Sequence, residues 1–295
     1  MNIWITGGRG RLGGVLRQRW ESQGRPVDVY SRNADERHLP LSLLTDHLHK
    51  GELPHALLHL AWSTVPASAE IHPGIEWRED LPLLAGLLET LAILKKSQPR
   101  LPLFVFFSTC AVYGPGSAEK PFGEEDATRP IGWYATAKAE AEQLIRRFAE
   151  QHGLPALILR ITNPYGFAQK QEALQGVIPH LARAARAGHP FRVWGDGSAR
   201  KDYLHVEDFC RGVEAALQAH LTGTYNLCSG ETHSIHELVQ TAETALGVPI
   251  RIQNEPGRPW DVTHAGYRRE KFSGATDWSP KLALADGLRS YLRGN

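Results

Sequence analysis

At 295 residues the chain is long enough to bury a substantial core, either as one large α/β domain or as a domain carrying a smaller lobe. Its 33 Lys and Arg offset 32 Asp and Glu, which excludes the broad basic field that recruits nucleic acid or anionic membrane and points to a small or locally charged ligand. The three cysteines, Cys110, Cys210 and Cys228, are odd in number and set in apolar strings, so they read as buried thiols of a cytoplasmic protein and not as a disulfide framework. The 14 histidines show neither HExxH nor a Cys/His cluster, and no metal site is expected.

The opening MNIWITGG reads as a first strand and not as a secretory leader, because no basic segment precedes its apolar run and no cleavage site follows. A helix over RLGGVLRQRWESQ, a strand at PVDVY, a strand at HALLHLA, a helix near 78–97 and a strand at LPLFVFFS come next. The most apolar stretch, LPLLAGLLETLAILKK, is interrupted by Pro82 and Glu89 and is too short to span a bilayer. A helix beginning at YATAK and a strand at PALILRI continue the alternation. Such alternation implies parallel strands joined by right-handed helical crossovers, a doubly wound α/β sheet. From Asn163 the texture changes, with Pro164, Gly166, Gly176, Pro179, Gly188, Pro190, Gly195 and Gly197 punctuating short elements, as in a smaller ligand-shaping lobe. The sheet pattern returns at HVEDFCRGVEAALQAH and TYNLC. Ser234 and Glu237 then form a capping box for another helix, and residues 251–295 complete the lobe.

Directly after the first strand stands TGGRGRLGG, with Gly7, Gly10 and Gly13 spaced three apart and opening a helix. Glycine is needed where a backbone turns tightly and its N–H groups approach a pyrophosphate at a helix N-terminus, so this loop is expected to bind a dinucleotide. Arg9, Arg11 and Leu12 belong to the same loop and are expected along the cofactor. The second strand ends in Ser31 and Arg32, where an NAD reader places a carboxylate for the ribose 2′-OH, and Asp28 lies three residues too early. Arg32, with Arg9, would grip a 2′-phosphate through charge-assisted bonds, which favours NADP over NAD.

The strand LPLFVFFS runs into Ser108, Thr109, Cys110, Ala111, Val112, Tyr113 and Gly114. Ligands of a doubly wound sheet lie outside the carboxyl ends of its strands, so Ser108 and Thr109 are expected to face the cofactor. Tyr134 and Lys138 are four residues apart and share one helix face. A free tyrosine has a pKa near ~10, so proton transfer at neutral pH needs a fall of about three units, or roughly 4 kcal/mol. A nearby ammonium and a positive nicotinamide ring together would supply it.

TGGRGRLG, HLA at 59–61, STCAVYG, YATAK, RITNPYG and WGDGSARKDYLHVED, in this order along nearly the whole chain, resemble the extended short-chain dehydrogenase/reductase family. More narrowly, they are similar to nucleotide-sugar epimerases of the UDP-galactose 4-epimerase type. The resemblance implies an NAD(P)-binding Rossmann domain over 1–162 and 206–229 and a nucleotide-sugar-binding lobe over 163–205 and 230–295. By it Tyr134 is the general base and acid, Lys138 binds the nicotinamide ribose and lowers the tyrosine pKa, and Thr109, with Ser108 beside it, meets the reacting sugar oxygen. Leu60 and Ala61 of the HLA segment would line the cofactor. A nucleotide-diphosphate sugar would be held by Asn163 and Arg258 at the diphosphate, Asp261 at the nucleotide ribose, and Gln175 and Gly176 alongside. Where the family shows Arg-Asp-Tyr, this chain has Lys201 in the arginine place with Arg200 before it, which leaves the second phosphate contact open between the two. Asp80 stands where many members have Asn. Ala265 falls where some epimerases carry a tyrosine beside the sugar C2 substituent; a methyl group there would admit an acetamido group, unless Tyr267 swings into the space. The helices near 78–97 and 134–151 resemble the pair through which family members form homodimers.

Members that remove water place Asp-Glu after the Thr of this loop, whereas this chain has Cys110-Ala111, so dehydration is disfavoured. Hydride transfer at a sugar carbon is what remains. The expected function is NAD(P)-dependent epimerisation at C4 of a UDP-hexose or UDP-N-acetylhexosamine through a 4-keto intermediate. The alternatives are an NADPH-dependent 4-keto-sugar reductase and a non-catalytic NAD(P)-binding sensor, and the intact Tyr134, Lys138 and Thr109 set speaks against the sensor.

Overall fold

Four consecutive buried residues, Ile3–Thr6, form β1, and burial on both faces is what a central parallel strand demands. The computed structural model describes residues 2–32, 35, 38–117, 120–167, 176–258, 262 and 264–293. After β1 come α1 (Arg11–Ser22), β2 (Val27–Ser31), β3 (Leu39–Pro40), α2 (Leu41–His49), β4 (Ala56–His59), α3 (Pro66–Ile71) and α4 (Ile75–Leu94). They are followed by β5 (Leu103–Thr109), α5 (Trp133–His152), β6 (Ala156–Ile161), β7 (Asn163–Tyr165), α6 (Val177–Ala187), β8 (Phe191–Trp194) and β9 (Arg200–His205). The chain continues through α7 (Val206–Gln218), β10 (Gly223–Leu227), β11 (Thr232–Ser234), α8 (Ile235–Leu246), β12 (Ile252–Glu255), β13 (His264–Ala265), α9 (Glu270–Thr276) and α10 (Leu284–Arg293).

Seven strands form one sheet in the order β3-β2-β1-β4-β5-β6-β10. The pairs β1 with β2, β1 with β4, β2 with β3 and β4 with β5 run parallel, and Ile3 stands opposite both Val27 and Ala56. Strand order therefore reverses at β1, the doubly wound arrangement the alternation predicts, and the carboxyl ends of β1, β2, β4 and β5 lie on one edge. In such a sheet that edge is where ligands bind. The apolar face of α4 buries Leu84, Leu87, Leu88, Leu91 and Leu94 in one cluster with Phe104 and Phe106 of β5 and Ala141 and Ile145 of α5. This helix begins three residues earlier than its periodicity suggests and continues past Pro82, which lies on the exposed side, where a missing N–H donor costs least. Among the described residues no helix is long and apolar enough to cross a membrane. Cys110, Cys210 and Cys228 are free and buried.

The chain divides into two compact units, Met1–Val112 with Pro130–Arg160 and Ala216–Tyr225, and Tyr113–Arg129 with Ile161–Ala215 and Asn226–Asn295. Compared with the expected boundaries, Tyr113–Arg129 and the first ten residues of α7 group with the second unit, for identifiable reasons. Gly116 N donates to His264 O at 3.0 Å, Phe122 N donates to Gly266 O at 2.9 Å, and the ring of Phe122 stacks with Tyr113 and Tyr267. At the start of α7 the Asp208 carboxylate accepts from the backbone of Lys281 and Leu282, and Trp278 Nε1 donates to Asp208 O.

In the first unit the Glu142 carboxylate on α5 is fully buried. It accepts from Arg160 Nε at 3.0 Å and Nη2 at 2.7 Å, from Arg146 at 3.1 Å and from Ser108 Oγ at 2.6 Å. Glu142 and Arg160 side chains are 0% and 3% exposed, so removing one partner would leave the other charge buried and uncompensated. Glu142→Ala is expected to cost about 3–5 kcal/mol of folding stability, read as a lowered midpoint in chemical denaturation; a loss under ~1 kcal/mol would show that the pair does not hold β6 against α5.

Candidate active site

The glycine loop is packed so tightly that side chains are excluded. Gly7 has φ +77°, and a Cβ there would lie 2.5 Å from Ala61 N and 2.6 Å from the Leu60 carbonyl carbon. A Cβ on Gly13 would lie 2.4 Å from Gly7 O. The chain leaving β4 thus presses on the loop leaving β1, which puts Leu60 and Ala61 beside Gly7. Gly10 closes the turn by donating to Gly7 O at 2.9 Å, and α1 starts at Arg11 with no side-chain cap. Its first N–H groups are the donors a helix offers to an anion, and the absence of Cβ atoms gives that anion room, so the loop fits a dinucleotide pyrophosphate.

At the end of β2 the expected open positive charge is not what the structure shows. Arg32 pairs through Nη1 with Glu79, while its Nη2 donates to Ser63 Oγ at 2.6 Å and lies 3.4 Å from Asp80 Oδ1. Asp80 is fully buried on α4 and accepts from Ser63 N at 3.0 Å and Ser63 Oγ at 2.8 Å. Burial pushes the Asp80 carboxyl up, against the opposing pull of Ser63, Arg32 and Lys138, and the Arg32 hydrogen bond holds Glu79 below its usual range. Arg9 faces Asp35 at 3.7 Å. Ser31, the last residue of β2, is partly buried.

Tyr134 and Lys138 share one face of α5, with the ammonium 5.9 Å from the centre of the phenol ring. Lys138 is 3% exposed and donates to Phe107 O at 2.8 Å. Burial pulls its pKa down to about 7, opposed by the carboxylates of Asp80 and Glu142. Burial pushes Tyr134 up to about 12; Arg11 at the start of α1 pulls the other way, and Glu76 and Asp80 add to the rise. The protein alone therefore holds Tyr134 as a phenol, and the fall expected from a lysine neighbour requires further positive charge at the hydroxyl. Thr109 ends β5 partly exposed, with its hydroxyl accepting from Ala111 N at 3.2 Å. Ser108 is different from expectation: it is buried, and its hydroxyl is committed to Glu142. Ser108 lies on the strand face that packs on α5, where Glu142 takes its hydroxyl, whereas Thr109 is the last residue of β5, at the carboxyl edge of the sheet.

In the second unit Asn163 is exposed on β7 and donates from Nδ2 to Asp202 O at 2.8 Å. Arg200 and Lys201 point to opposite faces of β9. The Arg200 guanidinium is tied to Glu237 at 2.8 Å and to Thr232 O at 2.7 Å, and that glutamate also completes the expected capping box with Ser234. Among the described residues, no carboxylate reaches Lys201 within salt-bridge distance. Arg258 stacks on the exposed ring of Trp194, 3.6 Å from its centre. Gly176 is the N-cap of α6. Ala265 is buried in β13 opposite Lys201, and Tyr267 is buried with its ring stacked on Phe122 and tilted to Tyr113. Gln175 and Asp261 lie outside the described residues.

Sequence reasoning passed over three residues here: Trp62, Ser63 and Glu79. Trp62 and Ser63 follow HLA at the carboxyl end of a parallel strand, a position that by itself marks them for a ligand edge. Glu79 gave no signal, since it reads as solvated charge on a helix.

Residues 3–228 match the model of the NAD dependent epimerase/dehydratase family. A dTDP-glucose 4,6-dehydratase from Streptomyces niveus is 32% identical over 194 residues, which cover 65% of this chain and 56% of that protein. A UDP-N-acetyl-alpha-D-glucosaminuronate decarboxylase from Bacillus cytotoxicus is 28% identical over 98% of this chain and 96% of its own length. Among solved structures, a UDP-glucose 4-epimerase of Thermotoga maritima has the same fold, with TM-score 0.87 at 24% identity over 99% of this chain and 98% of that one. With the family match running from β1 to the end of β10 and taking in the glycine loop and the Tyr134–Lys138 face, the chain belongs to the NAD dependent epimerase/dehydratase family of enzymes.

Proposed function

We propose that the protein epimerises a nucleotide-diphosphate sugar at C4, using NAD and a 4-keto intermediate. The pairing of Tyr134 with a buried Lys138 on one face of α5, in the same unit as the glycine loop, carries this reading. In it the N–H groups at the start of α1 hold the pyrophosphate, and Lys138 holds the nicotinamide ribose. The nicotinamide, when bound, supplies the hydride acceptor and donor. Tyr134 takes the proton of the C4 hydroxyl and returns it, with the Thr109 hydroxyl fixing the reacting oxygen. Arg11 is the chain's own charge that favours the phenolate needed for the first transfer, and in this reading the Lys138 ammonium adds to it. Cys110 and Ala111 offer no acid and base for losing water, which supports the choice against dehydration.

The cofactor is read as NAD because Arg32 and Arg9 both stand against carboxylates, so a 2′-phosphate would have to displace Glu79 from Arg32 and sit close to Asp80. On the substrate side, Lys201 is the better phosphate contact, since Arg200 is committed to Glu237, and Arg258 remains the other. Asn163, Gly176, Gln175 and Asp261 keep their proposed contacts along the nucleotide diphosphate. The small Ala265, with Tyr267 held in its ring stack, supports acceptance of a 2-acetamido sugar. A homodimer through α4 and α5 is supported by Pro82, Gly86 and Ile93 exposed along α4.

Incubating the protein with UDP-glucose or UDP-N-acetylglucosamine is expected to yield the C4 epimer with no net consumption of NADH or NADPH. Stoichiometric oxidation of NADPH with a 4-keto-sugar, and no epimer, would make it a reductase instead. Tyr134→Phe is expected to lower turnover about 10²–10⁴-fold while NADH affinity, measured by fluorescence titration, stays within about threefold. Wild type is expected to bind NADH more tightly than NADPH, and Glu79→Gln to narrow that ratio about fivefold, the scale of one exposed ion pair; an unchanged ratio would remove Glu79 from cofactor choice.

A further inference from the structure

Lys138 presents a physical problem that its carboxylate neighbours do not solve. A buried ammonium has to recover what it loses in water, through anions, hydrogen bonds or aromatic faces. Its hydrogen bond goes to Phe107 O at 2.8 Å. The titratable groups facing it are His59 on β4, Asp80 on α4, and Tyr134 and Glu142 on α5 itself. His59 is held neutral by burial, with the Lys138 charge adding to the effect, and its pKa is near 3. Asp80 already accepts from Ser63 and faces Arg32, and Glu142 already accepts from Ser108, Arg146 and Arg160. Both carboxylates act on Lys138 at longer range.

What lies against the ammonium is a set of ring faces. Nζ is 3.8 Å from the centre of the Trp62 ring and 4.5 Å from that of Phe106, with Tyr134 further off at 5.9 Å. Trp62 and Phe106 meet edge-on, 5.9 Å between centres. The buried indole Nε1 of Trp62 has no hydrogen-bond partner among the described residues. A polar contact therefore does not account for the orientation of this indole, whereas its contacts with Lys138 and Phe106 do. We propose that Trp62 is a positioning residue whose indole face holds the Lys138 side chain in place as an ammonium. The electron-rich face of a tryptophan is the best aromatic partner for a cation, and exclusion of water strengthens the attraction. It acts against the burial that pulls Lys138 down to about 7. The consequence for turnover rests on the epimerase reading, in which the charge on Lys138 favours the Tyr134 phenolate. The charge itself is measurable without substrate.

The experiment follows the ¹³Cε resonance of Lys138 in protein labelled at lysine, assigned by its loss in Lys138→Arg, as pH is raised. The ammonium is the form the ring retains, so loss of the ring lowers the pKa and deprotonation comes at lower pH. Trp62→Leu is expected to lower the Lys138 pKa by about one unit, and Trp62→Phe, which keeps a weaker face, by less than half of that. NADH affinity in Trp62→Leu should then fall off at correspondingly lower pH than in wild type. Replacing tryptophan by its 6-fluoro and 5,6,7-trifluoro analogues keeps the ring's shape while draining its face, and the pKa should fall stepwise with fluorine number, which covers the case of an unfolded leucine variant. A Lys138 pKa that stays within ~0.3 unit across folded Trp62→Leu and the fluorinated series overturns the inference. Because no substrate enters the titration, that result would leave the epimerase reading standing, and absence of epimerase activity would leave a stepwise pKa standing.

Discussion

Lys138 is 3% exposed, so any charge it carries has to be met by the protein and not by water, and several groups of the first unit are placed around that constraint. The ammonium lies against β5 and against Trp62, in the segment that leaves β4. Burial favours its discharge and, even against Asp80 and Glu142, takes its pKa down to about 7. Opposing that are one carbonyl, two carboxylates at a distance and an aromatic wall. None of these would suffice alone, since a carbonyl bond to a charged donor recovers only part of the hydration lost.

The same low-dielectric setting governs Tyr134. Its phenol is pushed up by burial and by Glu76 and Asp80, while Arg11 pulls it down. Arg11 stands at the first turn of α1, beside the N–H groups offered to the pyrophosphate. In the epimerase reading, the loop that would hold the cofactor thus also supplies a charge that favours the phenolate, which would couple binding and proton transfer through one helix end. In the epimerase reading the phenolate becomes accessible chiefly when the dinucleotide is bound, which suits an enzyme that must not abstract protons with an empty cofactor site.

Much of this was legible in the sequence. The doubly wound class follows from the alternation of apolar runs with helical patterns, and the glycine spacing announces its loop because a Cβ at Gly7 or Gly13 would collide with a neighbouring backbone. Tyr134 and Lys138 are readable because four-residue spacing fixes a shared helix face. What was not legible depends on partners far apart in sequence. Ser108 and Thr109 look equivalent until Glu142, thirty-four residues on, claims the first hydroxyl. Arg32 looks like a phosphate ligand until α4 brings Glu79 and Asp80 to it. Tyr113–Arg129 looks like part of the sheet domain until its backbone bonds to residues 264–268.

Asp80 ties these threads together. An asparagine at this place would accept hydrogen bonds from Ser63 equally well but would carry no charge. The carboxylate adds two long-range effects of opposite use. At the β2 end it shares Arg32 with Glu79, so that guanidinium is no longer an unopposed cation for a 2′-phosphate. Toward α5 it raises both Lys138 and Tyr134, helping the lysine keep its proton while making the tyrosine harder to ionise. Those two effects on Lys138 and Tyr134 oppose each other, and the balance is set by how much of the Asp80 charge Arg32 and Ser63 neutralise. Arg32, at the end of β2, is in this way electrostatically linked to Tyr134 and Lys138 on α5, through one buried carboxylate and without a direct contact.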